Sequence, residues 1–382
     1  MFLLLSFLLF LSSNYVYSEM TELTYINYLY GFSHHFMVDS KTKFGLHSIR
    51  IPLAMYDKNI CGINFYDDSV NQEDNELFID DDDPSLYVEQ KIMGGDDVDI
   101  AFEPWSVQIY SLDKYICGGT LVSRNYIMTA AHCIIRDCRA WKLNRDHLRK
   151  LEVLINFPGD EINDYLDKTL EGYQLPYLRR RVRSIVLPSL IDSENIYCEG
   201  NNDFAILELN EPIPEGYGYA CIPIYHPPMY SIYTSEFYVI GYGRNPYREA
   251  KMMPTYNKAL QNTSGKDIFL KYNMNKIQKL EVGELITYPA CRLKPSIPAD
   301  EGYICVYDKV DEGICDGDSG SGLFKKHKNI GMDQHEQTIL VGIVSKAVPC
   351  SERKDWVVTN YQLYTDVYQQ INIYEKLFQE KL

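Results

Sequence analysis

Three residues in this chain have the side chains that nucleophilic catalysis requires. Ser319 lies in a cluster of glycines, His132 follows two alanines, and Asp203 precedes an apolar run. Glycines let backbone N–H groups approach a reacting carbonyl, and a serine among them can present its Oγ beside those donors. A histidine can take the hydroxyl proton, and an aspartate can orient the histidine. Together the three residues indicate acyl transfer through an activated hydroxyl.

Taken singly, each residue also has a structural explanation. A glycine-rich serine turn can be a plain surface turn, a histidine after two alanines can be a packed core residue, and Asp203 can be a turn residue. The order along the chain narrows the possibilities. The α/β-hydrolases run serine, aspartate, histidine and the subtilisins run aspartate, histidine, serine, whereas this chain runs His132, Asp203, Ser319.

The motifs around these residues resemble those of the chymotrypsin-like (trypsin-family) serine peptidases. The family's Thr-Ala-Ala-His-Cys is present at 129–133, and its Asn-Asp-Ile-Ala-Leu-Leu strand is matched by Asn-Asp-Phe-Ala-Ile-Leu at 202–207. Its Cys-x-Gly-Asp-Ser-Gly-Gly-Pro-Leu is matched at 315–323, except that Ser321 replaces the second glycine of the pair and Gly322 replaces the proline. A lipase or esterase is disfavoured by the residue order.

This resemblance implies a catalytic triad of His132, Asp203 and Ser319, with an oxyanion hole formed by the backbone N–H groups of Gly317 and Ser319. Ser345 resembles the serine that hydrogen-bonds the triad aspartate. The implied activity is a serine endopeptidase that works through an acyl-enzyme without a cofactor or a metal.

The chief alternative is a catalytically silent homologue that acts as a binding module. Such a protein would keep the fold and lose a member of the triad, whereas all three members are present here. Only the substitutions at Ser321 and Lys346, which replaces the family's usual aromatic residue, favour this alternative.

The elements that must position these residues are predicted to be strands. Short β-rich runs are separated by Gly, Pro, Asn and Asp, as in Gly118–Val122, Phe204–Leu209, Phe237–Ile240 and Ile339–Val344. This pattern predicts an all-β fold, and the resemblance implies two six-stranded antiparallel β-barrels. Apolar residues near helical spacing predict a C-terminal α-helix over 366–382. Long separations within the triad, 71 and 116 residues, predict enlarged loops near 140–180 and 245–280.

The chain divides into three parts. Residues 1–18 are an apolar segment too short to span a membrane and are predicted to be a secretory signal peptide, although no Lys or Arg precedes the apolar run. Residues 19–91 form an acidic prosegment, with 14 Asp and Glu against 5 Lys and Arg, and residues 92–382 form the peptidase domain. The net charge of -16 argues against nucleic acid as a partner. We expect a secreted, extracellular protein without a membrane partner.

The prosegment ends in a sequence that resembles the family's activation site. Ile92-Met93-Gly94-Gly95 follows Lys91 and is similar to Ile-Val-Gly-Gly. The resemblance implies a zymogen, in which cleavage after Lys91 frees the α-amine of Ile92 to pair with Asp318. Because the pocket described below is predicted to disfavour lysine, we expect another protease to make this cut. Asp80–Asp83 are predicted to form a solvated spacer that keeps this site accessible.

Ten cysteines in a secreted chain predict five disulfide bonds. The spacing alone does not assign the pairs. The family resemblance implies four of them, and elimination adds the fifth: Cys117–Cys133, Cys291–Cys305, Cys315–Cys350, Cys61–Cys221 and Cys138–Cys198. Asn262-Thr263-Ser264 is a glycosylation sequon, so Asn262 is a predicted glycan site.

The predicted substrate pocket departs from the trypsin pattern. Gly313 stands at the pocket base, where trypsins have an aspartate, so a buried Arg or Lys of the substrate would lack a partner there. Ala347 replaces a glycine of the pocket wall and narrows the slot, and Lys346 favours acidic side chains nearby. We therefore predict protein or peptide substrates cleaved with a preference unlike that of trypsin, and a protein inhibitor is a further possible partner.

Overall fold

The structure is a computed structural model. It describes residues 36–39, 60–63, 95–135, 150–157, 176–187, 203–223, 237–243, 277–283, 285–286, 302–307, 312–328, 336–347 and 361–370. Within these ranges no helix has the length and apolar character needed to cross a membrane.

Six of the seven strands of the first sheet form a closed antiparallel barrel. Strand β7 pairs with β6 through its first residues and with β8 through its later ones, which closes the ring. Inward residues of β6, such as Leu151, Val153 and Ile155, are fully buried and alternate with partly exposed ones, as expected for a half-buried strand. Around the ring the strands are β3 (Ser106–Ser111), β4 (Lys114–Leu121), β5 (Tyr126–Thr129), β8 (Ala205–Leu209), β7 (Leu178–Leu187) and β6 (Leu151–Ile155).

The second sheet is an antiparallel array of eight strands. Its order is β11, β12, β15, β14, β13, β9, β10, β2. In chain order these strands are β2 (Asp96–Asp97), β9 (Phe237–Gly241), β10 (Gln278–Glu281), β11 (Leu285–Ile286), β12 (Tyr303–Tyr307), β13 (Gly322–Lys328), β14 (Glu336–Lys346) and β15 (Tyr361–Asp366). The four β-rich runs expected from the sequence fall mainly in β4, β8, β9 and β14. A mostly β fold with one closed six-stranded barrel is therefore confirmed for the described ranges, and the second six-stranded barrel stays a prediction.

One apolar core joins the two sheets. Trp105, just before β3 of the first sheet, and Phe324, in β13 of the second, are both buried, and their ring centroids lie 6.3 Å apart. The backbone carbonyl of Trp105 accepts a hydrogen bond from the N–H of Leu121 at the end of β4. The two sheets are therefore packed as one body around shared aromatic side chains.

A short piece of the predicted prosegment is built into this body. Cys61 is fully buried and forms a disulfide bond with Cys221. The N–H of Gly62 donates to the carbonyl of Tyr219 over 2.6 Å, and the N–H of Thr338 donates to the carbonyl of Gly62 over 2.8 Å. Gly62 has φ +63°, and a Cβ there would lie 2.3 Å from the carbonyl oxygen of Thr338, so only glycine fits. A second piece of the predicted prosegment, β1 (Phe36–Asp39), pairs antiparallel with β7.

Two expectations need correction. The C-terminal helix does not begin at residue 366, because Asp366 ends β15 and its side chain caps the backbone N–H of Tyr368 at a 3₁₀ turn, Tyr368–Gln370. Residues 371–382 lie outside the described ranges. Strand β6 lies inside the loop expected near 140–180, because its alternating apolar residues complete the barrel between β3 and β7.

Candidate active site

His132 and Asp203 form a tightly held pair. His132 lies in α1 (Ala131–Ile134), a single helical turn that follows β5, and Asp203 lies just before β8, the neighbour of β5. Nδ1 of His132 lies 2.9 Å from Oδ2 of Asp203, and the backbone N–H of His132 donates to Oδ1 over 2.9 Å. Asp203 is fully buried, whereas the side chain of His132 is 30% exposed. The carboxylate thus orients the imidazole through Nδ1, and part of the histidine side chain stays accessible.

Two hydroxyls from the second sheet complete the surroundings of Asp203. The Ser345 hydroxyl donates to Oδ2 of Asp203, and the Thr365 hydroxyl donates to its backbone carbonyl over 2.9 Å. A bulge between Val344 and Lys346 leaves Ser345 out of the pairing of β14 with β15. Bulges re-aim side chains, which accounts for a strand residue pointing at the other barrel.

Ser319 lies in the turn before β13, and the turn abuts the histidine helix. A Cβ at Gly320, where φ is +80°, would lie 2.2 Å from Oγ1 of Thr129 and 3.3 Å from Sγ of Cys133. That sulfur lies 3.9 Å from Nε2 of His132. Ser319 is partly exposed, and among the described residues no hydrogen bond joins its Oγ to His132. The structure therefore brings the three predicted catalytic residues to one region, with the His132–Asp203 pair formed.

The backbone of the turn is held by several hydrogen bonds. The N–H of Asp318 donates to the carbonyl of Cys315, the N–H of Ser321 donates to the carbonyl of Asp318, and the N–H of Gly118 donates to the carbonyl of Ser319. Among the residues of this described turn, the N–H groups of Gly317 and Ser319 make no hydrogen bond. These are the two donors that the sequence predicted for an oxyanion hole.

Asp318 is fully buried and its carboxylate is enclosed by backbone. Oδ1 accepts the N–H of Gly243 over 2.7 Å, and Oδ2 accepts the N–H of Cys315 over 2.8 Å. A Cβ at Gly241 would lie 2.0 Å from Oδ1, so the site is built closely around this side chain. Lys91 and Ile92, the predicted cleavage site and amine donor, lie outside the described residues.

The described disulfide bonds match the predicted pairs. Cys117–Cys133 braces the histidine helix against β4, and Cys61–Cys221 joins the predicted prosegment to the rest of the structure. Cys117, His132 and Cys133 could present three ligand atoms within 4.8 Å, but the disulfide occupies both sulfurs. Cys305 and Cys315 are disulfide-bonded as well. Their expected partners, Cys291 and Cys350, and the expected pair Cys138–Cys198 lie outside the described ranges, as does Asn262.

One of the predicted pocket residues shortly precedes the nucleophile turn in the sequence, and the others follow Ser345 at the end of a strand of the second sheet. Gly313 is buried four residues before Gly317, and Lys346 and Ala347 are partly exposed at the end of β14, directly after Ser345. Sequence reasoning missed Thr365 and Gly243, which act through a hydroxyl and a backbone N–H. A threonine next to Tyr364 at the end of an apolar run carried no signal of contact with a residue 162 positions away.

Comparisons with known proteins agree with this geometry. The sequence profile of the trypsin family, described as "Trypsin", matches residues 92–372. The trypsin-like protease try-5 of Caenorhabditis elegans is 25% identical over 69% of this chain and 79% of its own length. The snake venom serine protease serpentokallikrein-2 of Protobothrops mucrosquamatus is 25% identical over 61% of this chain and 71% of its own length.

A third relative matches a shorter part. The kallikrein 1-related peptidase b11 of Mus musculus is 43% identical over 54 residues, which is 14% of this chain and 21% of that protein. The chain thus spans only about a fifth of that relative's length but most of the two longer matches. Since the family profile covers more than half of the sequence, the chain belongs to the trypsin family of chymotrypsin-like serine proteases, whose fold implies two barrels.

Proposed function

We propose that this protein is a secreted serine endopeptidase that hydrolyses peptide bonds through His132, Asp203 and Ser319. The observation that carries the proposal is the buried Asp203 carboxylate, 2.9 Å from Nδ1 of His132, in the same region as the Ser319 turn. An aspartate that accepts from Nδ1 keeps the proton on that nitrogen, so Nε2 is free to act as the base.

The reaction proceeds through an acyl-enzyme. Nε2 of His132 takes the proton of Ser319 as Oγ attacks the scissile carbonyl, and the carbonyl π electrons move onto oxygen. The imidazolium gives the proton to the leaving amine as the carbon–nitrogen bond breaks. Water then attacks the ester in the same way and releases Ser319. Asp203 stabilises the imidazolium in both halves of the reaction.

The developing oxyanion needs preorganised donors. The N–H groups of Gly317 and Ser319, which have no hydrogen-bond partner in the described turn, support this role, because such donors are available to a substrate oxygen. Loss of one such donor typically costs about 10²–10³ in kcat.

The protein is made as a zymogen in this proposal. Cleavage after Lys91 frees the Ile92 amine, which pairs with Asp318 and fixes the nucleophile turn. The close backbone enclosure of Asp318 supports its structural importance, since a buried carboxylate is costly without compensation. Because Gly313 offers no carboxylate for a substrate Lys, the enzyme does not cleave Lys91–Ile92 itself, and a separate protease activates it.

Substrate choice follows from the same pocket. Gly313 and the methyl of Ala347 favour small or uncharged side chains over Arg or Lys, and Lys346 favours acidic residues near the cleaved bond. The disulfide-bonded domain and the predicted signal peptide at 1–18 support secretion, and Asn262 is a proposed glycan site.

The test is hydrolysis by protein cleaved at Lys91 with an exogenous protease and then freed of it. A mixed peptide library should be cut by the wild type, while Ser319→Ala and His132→Ala should lower kcat by at least about 10⁴-fold. Asp203→Asn should lower it by about 10⁴-fold through the wrong histidine tautomer. If the cleaved wild type binds peptides without cutting any, the protein is a silent homologue that acts as a binding module.

A further inference from the structure

A tyrosine from the first barrel contacts the backbone of the nucleophile turn. The hydroxyl of Tyr115, in β4, donates to the carbonyl of Gly317 over 2.6 Å, across 202 residues of sequence. Tyr115 is not part of the sequence motifs or of the proposed triad, so neither assigns it a role. Gly317 is one of the two predicted oxyanion donors, so its backbone orientation bears on the reaction that we propose.

The contact restrains one peptide unit at both ends. The unit between Gly317 and Asp318 carries the carbonyl that accepts from Tyr115, and its N–H donates to the carbonyl of Cys315 over 3.0 Å. A peptide plane held at oxygen and at nitrogen cannot rotate without losing both bonds.

Gly317 itself offers little resistance to rotation. Its φ is +98°, which glycine adopts about as readily as negative values. The Gly317 N–H belongs to the peptide unit before the one that Tyr115 holds. Its direction therefore depends on how the peptide units on both sides of Gly317 are held. If those units rotated, the N–H would leave the oxyanion position, and the lost donor would not be replaced.

The same strand holds the turn at a second point. The N–H of Gly118, three residues after Tyr115 in β4, donates to the carbonyl of Ser319 over 2.9 Å. Strand β4 thus holds the carbonyls of both residues whose N–H groups are predicted to form the oxyanion hole. One of the two supports is a side chain and can be removed without changing the backbone.

Tyr115 is suited to donate at all working pH values. Burial raises the pKa of its phenol well above the ordinary value, and the negative charge of Asp318 raises it further. The hydroxyl keeps its proton, and a carbonyl can only accept. The ring packs edge-on against Tyr110, with centroids 5.8 Å apart, which limits its freedom.

We propose that Tyr115 is a positioning residue for the oxyanion hole, which it preorganises by fixing the carbonyl of Gly317. This inference rests on the proposed peptidase function. It predicts that loss of the hydroxyl weakens transition-state stabilisation and leaves substrate binding intact.

The test compares Tyr115→Phe with a matched control, Tyr110→Phe, in protein cleaved at Lys91. The Tyr110 hydroxyl donates to Oε1 of Gln108 and makes no hydrogen bond to the turn. Tyr115→Phe should lower kcat for a peptide substrate about tenfold, as expected for one lost hydrogen bond, with KM unchanged. Tyr110→Phe should leave both constants within about twofold of the wild type.

A second readout reports on the oxyanion directly. A peptidyl trifluoromethyl ketone forms a hemiketal when Ser319 Oγ bonds to its carbon and the π pair moves onto oxygen, and ¹⁹F NMR follows protonation of that oxygen. Tyr115→Phe should raise the hemiketal pKa by about one unit, the same tenfold effect. A general loss of folding would lower the amount of adduct without moving this value.

A third variant guards against misfolding of the phenylalanine form. Tyr115→His keeps an N–H donor and should regain part of the lost kcat. The inference is wrong if the wild type is active while Tyr115→Phe has the same kcat and the same hemiketal pKa, or if Tyr115→His is no better than Tyr115→Phe. A wild type that neither hydrolyses peptides nor forms the hemiketal would instead refute the proposed peptidase function.

Discussion

The hydroxyl of Ser345, in β14 of the second sheet, donates to Oδ2 of Asp203, which precedes β8 of the first sheet and lies 142 positions away in the sequence. Oδ2 also lies 2.9 Å from Nδ1 of His132, so one oxygen serves both neighbours. The second sheet therefore takes part in orienting the histidine that the first sheet supplies. A hydrogen bond to a carboxylate is stronger than a hydrogen bond between neutral groups. We therefore expect this contact to contribute to both the stability of the fold and catalysis.

Ser345→Ala should destabilise the protein and slow the proposed reaction. Loss of a buried hydrogen bond to a charged group costs about 1.5–3 kcal/mol of unfolding free energy, and we expect kcat to fall by about three- to tenfold. Urea denaturation and peptide hydrolysis measure the two effects. Ser106→Ala, at a buried serine in β3, is the control and should leave kcat unchanged. Equal activity in Ser345→Ala and the wild type would contradict the orienting role.

Glu103 should make stability depend on pH. Burial raises its pKa from 4.5 to about 7, although Lys279, whose Nζ lies 3.4 Å from Oε1, opposes the shift. The folded protein therefore binds a proton more tightly than the unfolded chain between these values. The free energy of unfolding should fall as pH rises from 4.5 to 7, by roughly 3 kcal/mol in total, and should change little above 7 through this group.

The matched variants for this effect are Glu103→Gln and Glu211→Gln. Glutamine at 103 cannot ionise, so its stability should lack the decline between pH 4.5 and 7, whereas Glu211 is exposed and its variant should keep the wild-type profile. Thermal unfolding across that pH range measures both. A Glu103→Gln profile parallel to the wild type would show that Glu103 does not titrate there.

Ser321 carries a buried hydroxyl without a hydrogen-bond partner, at 1% exposure. Removal of an unsatisfied buried hydroxyl removes a desolvation penalty, so Ser321→Ala should raise the free energy of unfolding by about 1 kcal/mol. Denaturant unfolding checks the sign. A loss of stability as large as that of Ser345→Ala would mean that the Ser321 hydroxyl is satisfied in solution.

The prosegment should stay attached after activation. Cys61–Cys221 joins it to the domain, and the backbone bonds of Gly62 hold it in place. After cleavage at Lys91, the wild type should run as one species in a non-reducing denaturing gel and as two after reduction. The double variant Cys61→Ser, Cys221→Ser should give two species without reduction. Separation of the cleaved wild type without reduction would contradict this linkage.

The sequence predicted the parts of this protein that short motifs encode. Local strings identified His132, Asp203 and Ser319, and the resemblance paired Cys61 with Cys221 and Cys117 with Cys133, as the structure has them. These features follow from residues close together in the chain or from a known pattern.

The parts that the sequence did not predict arise from long-range packing. Tyr115 contacts Gly317, and the burial of Glu103 beside Lys279 depends on how the sheets pack. The bulge that frees Ser345 is set by the pairing of β14 with β15. None of these residues stands in an unusual local string, so only the folded arrangement reveals its role.

The most direct test of the account is covalent labelling of Ser319. A fluorophosphonate probe reacts with a serine only when a base and an oxyanion hole activate it. In protein cleaved at Lys91, we predict one probe per chain on the peptide that contains Ser319, little labelling before cleavage, and none in Ser319→Ala. A folded, cleaved wild type that takes up no probe would contradict the central claim that these three residues form a working triad.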